Sequence, residues 1–335
     1  MGARQPVYNT FGELVIPHVK AIENEYESYV AAFSTVQQYL RRSDLSSQPK
    51  EPTSKRFMHL VMTPYCKHAW NELIPAEFAV VIFSVDKGVE KSFVGLVDSG
   101  EIPLGERGEV VTNCNRNALP FPGDFDAVDA NSTPPSEVLK TIEEIANKWG
   151  CNLGNEILIF AMRSEIGTLT SCIRWLERKY PCAKWRKFRI LTFEMLLMAL
   201  SELVENAGNN GAVIRHEGGA ARFLYHSRYE YNPALACCWH QKQDNIGKVP
   251  YCALNIVLRR AYNALYYLCH LFGKAMKPNN HVPIADKHDV IDRELKKQFE
   301  VLMNEDPIGV KREEKPMVKY EVEENVFKVK YDNRI

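Results

Sequence analysis

Three residues in the C-terminal third of the chain have the types and the spacing of metal ligands. Cys237 and His240 are separated by two residues, and Cys252 follows after an eleven-residue loop. A thiolate and an imidazole one turn apart, with a second thiolate brought back by a loop, suit tetrahedral zinc. No second paired motif accompanies them, so spacing alone leaves an alternative: Cys252 is a small buried residue and His240 an ordinary loop residue.

A second candidate site is the segment 174–189, RWLERKYPCAKWRKFR, which combines positive charge with aromatic rings. Single-stranded nucleic acid is bound by cations that neutralise phosphates and by rings on which bases stack. The alternative is a solvated helix end that carries a core tryptophan. A weaker candidate is the pair Arg259-Arg260. The predicted RNA contacts are Arg174, Arg178, Lys179, Lys184, Arg186, Lys187 and Arg189.

Composition excludes several classes of protein. The 335 residues carry 42 basic and 42 acidic side chains, so the chain as a whole offers no strong field toward nucleic acid or an acidic membrane. No stretch approaches the ~20 apolar residues of a membrane span, and the first residues lack the apolar core of a secretory signal. The nine cysteines are therefore expected to be free, buried or metal-binding. We expect a cytoplasmic or nuclear protein without membrane partners.

Hydrophobic periodicity predicts the elements that must position these residues. A helix over 251–273, next to the cysteine cluster, has an apolar stripe and should be buried. The glycine-rich segment 206–219 is predicted to be a loop. The other predicted helices span 18–42, 135–149, 165–179 and 192–205, and the predicted strands span 57–63, 77–85, 92–99, 156–162 and 188–191.

This order, three strands followed by alternating helices and strands, is that of a ribonuclease-H-like α/β fold, a mixed sheet flanked by helices, and several other α/β folds share parts of it. The linker-like composition of 41–55 and the charge-rich C-terminal end indicate three parts. We predict a short helical segment over 1–50, a folded domain over 51–290 and a charged flexible tail over 291–335.

Several segments together resemble the Maelstrom domain over about residues 57–290. They are CCWHQKQD and YCALNIVLRRAYN around the cysteine cluster, HVP (281–283), PAEF (75–78) and SGEIPLG (99–105). The resemblance implies a fold similar to DEDD-type exonucleases of the ribonuclease-H class. It also implies a zinc-binding C-terminal helical part whose ligands are Glu77, Cys237, His240 and Cys252. Four protein ligands leave no open position on a tetrahedral Zn²⁺, and two thiolates with one carboxylate leave a net charge of −1 that makes the ion a poor acid for activating water, which together indicate a structural metal.

The resemblance implies that the chain binds single-stranded RNA. It further implies a role with other proteins of the piRNA pathway in silencing transposons in the germline and meiosis, in perinuclear germ granules and the nucleus. Some members cleave RNA without a catalytic metal, and no catalytic residue is assigned here. The alternative is an interaction scaffold on a degenerate nuclease fold that does not bind RNA.

Two features of the sequence depart from the pattern of the Maelstrom family, and a third departs from the pattern of two-metal exonucleases. Members carry an HMG box of ~70 residues before the domain, whereas only about 50 residues precede it here, at most a remnant, so DNA binding is not expected. The loop before Cys252 is longer than usual. Two-metal exonucleases need acids in the first strand, yet VVIFSV presents Ile82, Phe83 and Ser84, and His240-x3-Asp244 has the wrong spacing. We predict no two-metal exonuclease.

Overall fold

A computed structural model of the chain describes the greater part of its residues, all of which belong to one compact unit, Met1–Ala285. The predicted tail 291–335 and most of the linker lie outside the described residues, as do Lys184 and Arg186. The described residues are 15–41, 51–68, 72–100, 102, 104–123, 132–181, 187–206 and 213–283.

The described residues form a mixed α/β fold with one seven-stranded sheet flanked by helices. The strands are β1 (Phe57–Lys67), β2 (Leu73–Ser84), β3 (Gly88–Val97), β4 (Ser132–Thr133), β5 (Asn152–Leu153), β6 (Glu156–Ala161) and β7 (Lys187–Thr192). The helices are α1 (Val15–Arg41), α2 (Arg107–Asn117), α3 (Pro135–Trp149), α4 (Ile166–Lys179), α5 (Phe193–Asn206), α6 (Glu217–Leu224) and α7 (Ala253–Leu271).

The sheet has the order β4-β3-β2-β1-β6-β5, with β7 also paired to β6. Strands β1, β2 and β3 pair antiparallel, whereas β6 is parallel to both β1 and β7. Helices α2, α3 and α4 bury one face of the sheet, and α5 and α7 cover the other. Because helices cover both faces, β2 is buried along almost its whole length, and its sequence is apolar apart from Glu77 and the terminal Ser84.

Every helix and strand predicted from periodicity is present, most with ends within two residues of the prediction, although β1, β2 and β3 each extend four residues beyond the prediction at one end. Two helices were missed. Helix α2 buries only two side chains, so its polar sequence has little apolar periodicity. The prediction of a loop over 206–219 was wrong at its end, because α6 begins at Glu217 despite two glycines. The His216 ring accepts a hydrogen bond from the Gly219 amide and so caps its N-terminus.

A second correction concerns the first strand. The segment VVIFSV belongs to β2, and the chain enters the sheet one strand earlier, at β1. The sequence of β1, FMHLVMTPYCK, contains no aspartate or glutamate. The first strand of the sheet, β1, therefore offers no carboxylate pair for two metal ions.

Helix α1 packs against the folded domain through its C-terminal half. Val36, Tyr39 and Leu40 are buried, and the Tyr39 ring contacts Phe57 at the start of β1. The Tyr39 hydroxyl donates a hydrogen bond to the carbonyl of Arg56 at 2.5 Å. The predicted N-terminal helix is thus joined to the sheet. Among the described helices none is long and apolar enough to cross a membrane.

Candidate metal centre

Four side chains that could hold a metal ion meet between β2 and the N-terminus of α7. They are Glu77, Cys237, His240 and Cys252, all buried, and their ligand atoms lie within 4.8 Å of one another. The Cys237 Sγ is 3.1 Å from the His240 Nδ1. The Glu77 Oε1 is 3.7 Å from each Sγ and 3.9 Å from that Nδ1.

These separations can be compared with the edges of a zinc-centred tetrahedron. Zn–S bonds of ~2.3 Å and Zn–N or Zn–O bonds of about 2.0–2.2 Å give ligand-to-ligand distances of about 3.3–3.8 Å. Four of the six atom pairs here lie between 3.1 and 3.9 Å apart, and all six lie within 4.8 Å. The four residues therefore fit a tetrahedral ion with sulfur, nitrogen and oxygen ligands.

The Glu77 carboxylate is held at the N-terminus of α7. A helix begins with amides that lack an intrahelical partner, and its dipole favours negative charge there. Cys252, the N-cap residue of α7, makes no side-chain cap of its own. Instead, the Glu77 Oε2 accepts a hydrogen bond from the Ala253 amide at 2.9 Å. This contact explains how a carboxylate is accommodated in the apolar strand β2.

The His240 ring is oriented by the C-terminal end of α2. That helix ends at Asn117, the next residue, Ala118, is in the left-handed conformation with φ 48°, and the last carbonyls of a helix have no partner within it. The His240 Nε2 donates to the Asn117 carbonyl at 2.7 Å, and the Trp239 Nε1 donates to the Ala118 carbonyl. With Nε2 engaged in this way, Nδ1 faces the other three ligands, as in many metal-binding histidines.

The electrostatics of the centre follow from its burial. Burial raises the pKa of Glu77 to about 7, against the opposing charge of His240. Hydrogen bonds from Cys252 and His240 lower the pKa of the Cys237 thiol. Burial alone would lower the pKa of His240, but its hydrogen bond to Cys237 and the charge of Glu77 raise it to about 9. A metal ion would displace the remaining protons.

Cys238 stands apart from the centre. It is exposed, whereas both neighbouring candidate ligands in the loop are buried. The Cys237 amide donates to the Cys252 Sγ at 3.3 Å, which joins the two ends of the loop. Of the two adjacent cysteines, only Cys237 belongs to the buried group that could hold a metal.

The basic segment lies elsewhere, on α4 and β7. Arg174, Arg178 and Lys179 are exposed on α4, and Lys187 begins β7 two residues before Arg189. These residues, with Lys184 and Arg186 outside the described part, remain predictions as RNA contacts.

Acids from distant segments pair with several of these cations. Glu72 accepts a hydrogen bond from Arg178 at 2.7 Å, and Glu156 contacts Lys187 at 3.7 Å and Arg189 at 2.9 Å. The tryptophan of the segment, Trp175, is only 2% exposed and belongs to the core. The surface is therefore less basic than the segment and lacks one of its expected stacking rings.

The weaker RNA candidate, the pair Arg259-Arg260, is buried in α7. Arg259 is 3.2 Å from the Glu230 carboxylate. Arg260 donates two hydrogen bonds to the Glu165 carboxylate, at 2.6 and 2.5 Å. Both guanidinium groups are engaged inside the protein, so they do not offer a surface for phosphate.

In the described residues, a buried Glu-Cys-His-Cys group lies at the start of the last helix of a mixed α/β domain. The protein is thus an α/β domain with a candidate metal centre. The sequence profile of Maelstrom, described as a piRNA pathway germ-plasm component, matches residues 68–288. The chain belongs to the Maelstrom family.

Curated relatives agree with this assignment. Protein maelstrom of Drosophila melanogaster is 22% identical over 254 residues, which are 72% of this chain and 53% of that protein. The Drosophila yakuba protein is 25% identical over 64% of this chain and 45% of its own length. A maelstrom homolog of Culex quinquefasciatus is 23% identical over 77% of this chain and 52% of its own. The chain spans about half the length of these relatives.

Proposed function

We propose that this chain binds single-stranded RNA as a component of the piRNA pathway, in cytoplasmic germ granules and the nucleus, with other proteins of that pathway. The observation that carries the proposal is the match to the Maelstrom family over residues 68–288. Exposed cations on α4 and at the start of β7 support it, because phosphate contacts supply most sequence-independent affinity.

We also propose a ribonuclease-H-like fold for the domain. The support is the sheet, in which three antiparallel strands, β1 to β3, are followed by the parallel strands β6 and β7 on the other side of β1. Ligands of open α/β sheets bind outside the carboxyl ends of parallel strands, where the strand order reverses.

The groups at the carboxyl end of β6, beside the start of β1, do not favour a divalent cation. On β1, His59 is fully buried and donates from Nδ1 to the Phe160 carbonyl of β6 at 2.8 Å. Burial, and next the charge of Arg260, lower the pKa of His59 to about 3. Arg260 in turn pairs with Glu165, just after β6. A buried guanidinium repels metal ions, so the proposed activity is binding rather than two-metal hydrolysis.

The metal proposed for the centre is a structural zinc. Glu77, Cys237, His240 and Cys252 would hold it, and two thiolates with a carboxylate make it too electron-rich to activate water. Its chemistry is to cross-link α7 and the preceding loop to β2, which adds its binding free energy to folding.

A charge-reversal variant tests the proposed RNA surface. Arg174→Glu with Lys187→Glu changes two exposed cations, so the folded core should tolerate it. We expect weaker binding to all single-stranded sequences and a slope of log affinity against log salt reduced by about one to two, because phosphate contacts are lost. Filter binding of labelled RNA at several salt concentrations measures both.

The matched control reverses two exposed cations on other helices, Arg116→Glu on α2 with Lys148→Glu on α3. It should bind RNA with nearly the wild-type salt dependence. Equal losses in both double variants would point to a non-specific effect of net charge. A wild-type chain that binds no RNA at any salt concentration supports the scaffold instead.

The same protein should not degrade RNA processively when Mg²⁺ is added. No carboxylate of β1 is available to hold the ion. Cleavage, where present, should continue without Mg²⁺, in keeping with a metal-independent endoribonuclease. Degradation that starts with Mg²⁺ and stops on its removal, in protein free of contaminating nuclease, would contradict this expectation.

A further inference from the structure

Aromatic side chains lie next to the ligand residues of the metal centre, outside the segment that the sequence predicted for RNA. Tyr251 immediately precedes Cys252 and is 44% exposed. Trp239 immediately precedes His240 and is partly buried. A third ring, Tyr231, lies in the loop before the cysteine pair and is 73% exposed. Isolated exposed tyrosines are common on protein surfaces, so their attachment and their neighbours decide whether they form a site.

Hydrogen bonds attach these rings to the start of α7. The Asn255 Nδ2, in the first turn of α7, donates to the carbonyls on both sides of Tyr231, those of residues 229 and 232, at 3.4 Å each. The Gln241 Nε2 donates to the Pro233 carbonyl at 3.1 Å, which ties the loop of Tyr231 to the loop after His240. Tyr251 ends a 3-10 helix, directly before α7. All three rings are therefore carried by segments that the N-terminus of α7 and the metal centre hold in place.

Two lysines accompany the rings. The Lys242 Nζ lies 4.7 Å from the centre of the Trp239 ring, and the Lys248 Nζ lies 5.8 Å from that of Tyr251. An ammonium group beside a ring that is at least partly exposed can neutralise a phosphate while the ring stacks a base, the combination used for single strands.

We propose that Tyr231, Trp239 and Tyr251, with Lys242 and Lys248, form a base-stacking surface for single-stranded RNA, here called the aromatic surface. The inference rests on the proposed function and adds to it the place where bases are held. The basic segment cannot hold them on Trp175, which is buried in the core. Phosphate contacts on α4 and β7 and stacking on the aromatic surface are thus separate contributions to affinity.

The test removes the two most exposed rings from the full chain by Tyr231→Ala with Tyr251→Ala. Base–aromatic stacking contributes about five- to hundredfold in affinity per ring, so the double variant should bind a mixed-sequence single strand at least about tenfold more weakly. Fluorescence anisotropy at several salt concentrations should give an unchanged salt slope, because no charge is removed. An unchanged salt slope distinguishes the loss of the aromatic surface from the loss of phosphate contacts in Arg174→Glu with Lys187→Glu, which is expected to flatten the slope of log affinity against log salt.

Two controls complete the test. Tyr231→Phe with Tyr251→Phe keeps both rings and should retain the affinity. Tyr225→Ala removes a tyrosine of similar exposure, 48%, from another element and should also retain it. Unchanged RNA affinity in a normally melting alanine variant would overturn the proposal, as would an equal loss in the phenylalanine variant. A wild-type chain that binds no RNA would overturn the proposed function and the aromatic surface together. If the wild-type chain binds RNA and the alanine variant binds it equally well, only the aromatic surface is overturned.

Discussion

Replacement of Cys252 by alanine is expected to abolish zinc binding and to lower the melting temperature by roughly 8–16 °C. Cys252 is fully buried, and its Sγ lies 3.7 Å from the Glu77 carboxylate, in the middle of the candidate ligand set. A ligand present at a thousand times its Kd adds about 4 kcal/mol to stability. A free-energy change of that size shifts the melting of a domain this large by the stated amount. Metal analysis by mass spectrometry should find one zinc per wild-type chain and none in the variant.

Cys238→Ala is the matched control, because the same residue type is changed next to the centre but at an exposed position. It should retain one zinc and the wild-type melting temperature. Equal zinc loss in the two variants would mean that the ligand set is wrong at this pair. A wild-type chain purified without metal, which takes up none from zinc buffers, would reject the metal centre altogether.

Three of the four candidate ligands could be predicted from sequence because they lie close together in the chain and share one loop. The fourth could not be derived from spacing. Glu77 is 160 residues from Cys237, and only the pairing of β2 with its neighbours and the packing of α7 bring them together. For Glu77 the resemblance to a family supplied what local pattern could not.

The orientation of His240 had no sequence signal at all. It depends on α2, whose sequence has few apolar residues, and on Ala118 in a conformation that residues other than glycine seldom adopt. A non-glycine helix end of this kind is stabilised by tertiary contacts, here with the loop that carries Trp239. Periodicity detects apolar stripes, so it misses a helix whose main contribution is its terminal carbonyls.

The charge of the basic segment was overestimated for a related reason. Within 174–189 the only acid is Glu177, but the fold brings Glu72 and Glu156 to the cations from other strands and loops. A count along the chain cannot include charges that arrive through sheet pairing. The tyrosines of the aromatic surface were missed for a similar reason. The exposure of a tyrosine is set by the packing of its neighbours in the fold, which the sequence does not show.

Arg260→Ala is expected to lower the free energy of unfolding by about 2–4 kcal/mol. Arg260 is 4% exposed and donates both terminal nitrogens to Glu165, and its charge also acts on the buried Glu194 carboxyl. Removal of one partner of a fully buried ion pair costs about 3–5 kcal/mol because the other charge stays unpaired. The cost should be smaller here, since the Glu165 side chain is 31% exposed. Urea denaturation of the full chain measures it.

The double variant Arg260→Met with Glu165→Gln removes both charges of the ion pair. It should recover part of the stability lost in Arg260→Ala, because an uncharged pair of similar volume leaves neither partner with an unpaired charge. Lys140→Met breaks an exposed ion pair on α3 and should leave stability nearly unchanged. If Arg260→Ala is as stable as the wild type, the guanidinium is not held against Glu165 in solution. A divalent cation at the carboxyl end of β6 would then no longer be disfavoured by the charge of Arg260. If the single variant is destabilised and the double variant recovers, an internal arginine balances the carboxylates where a nuclease would hold its metal ions.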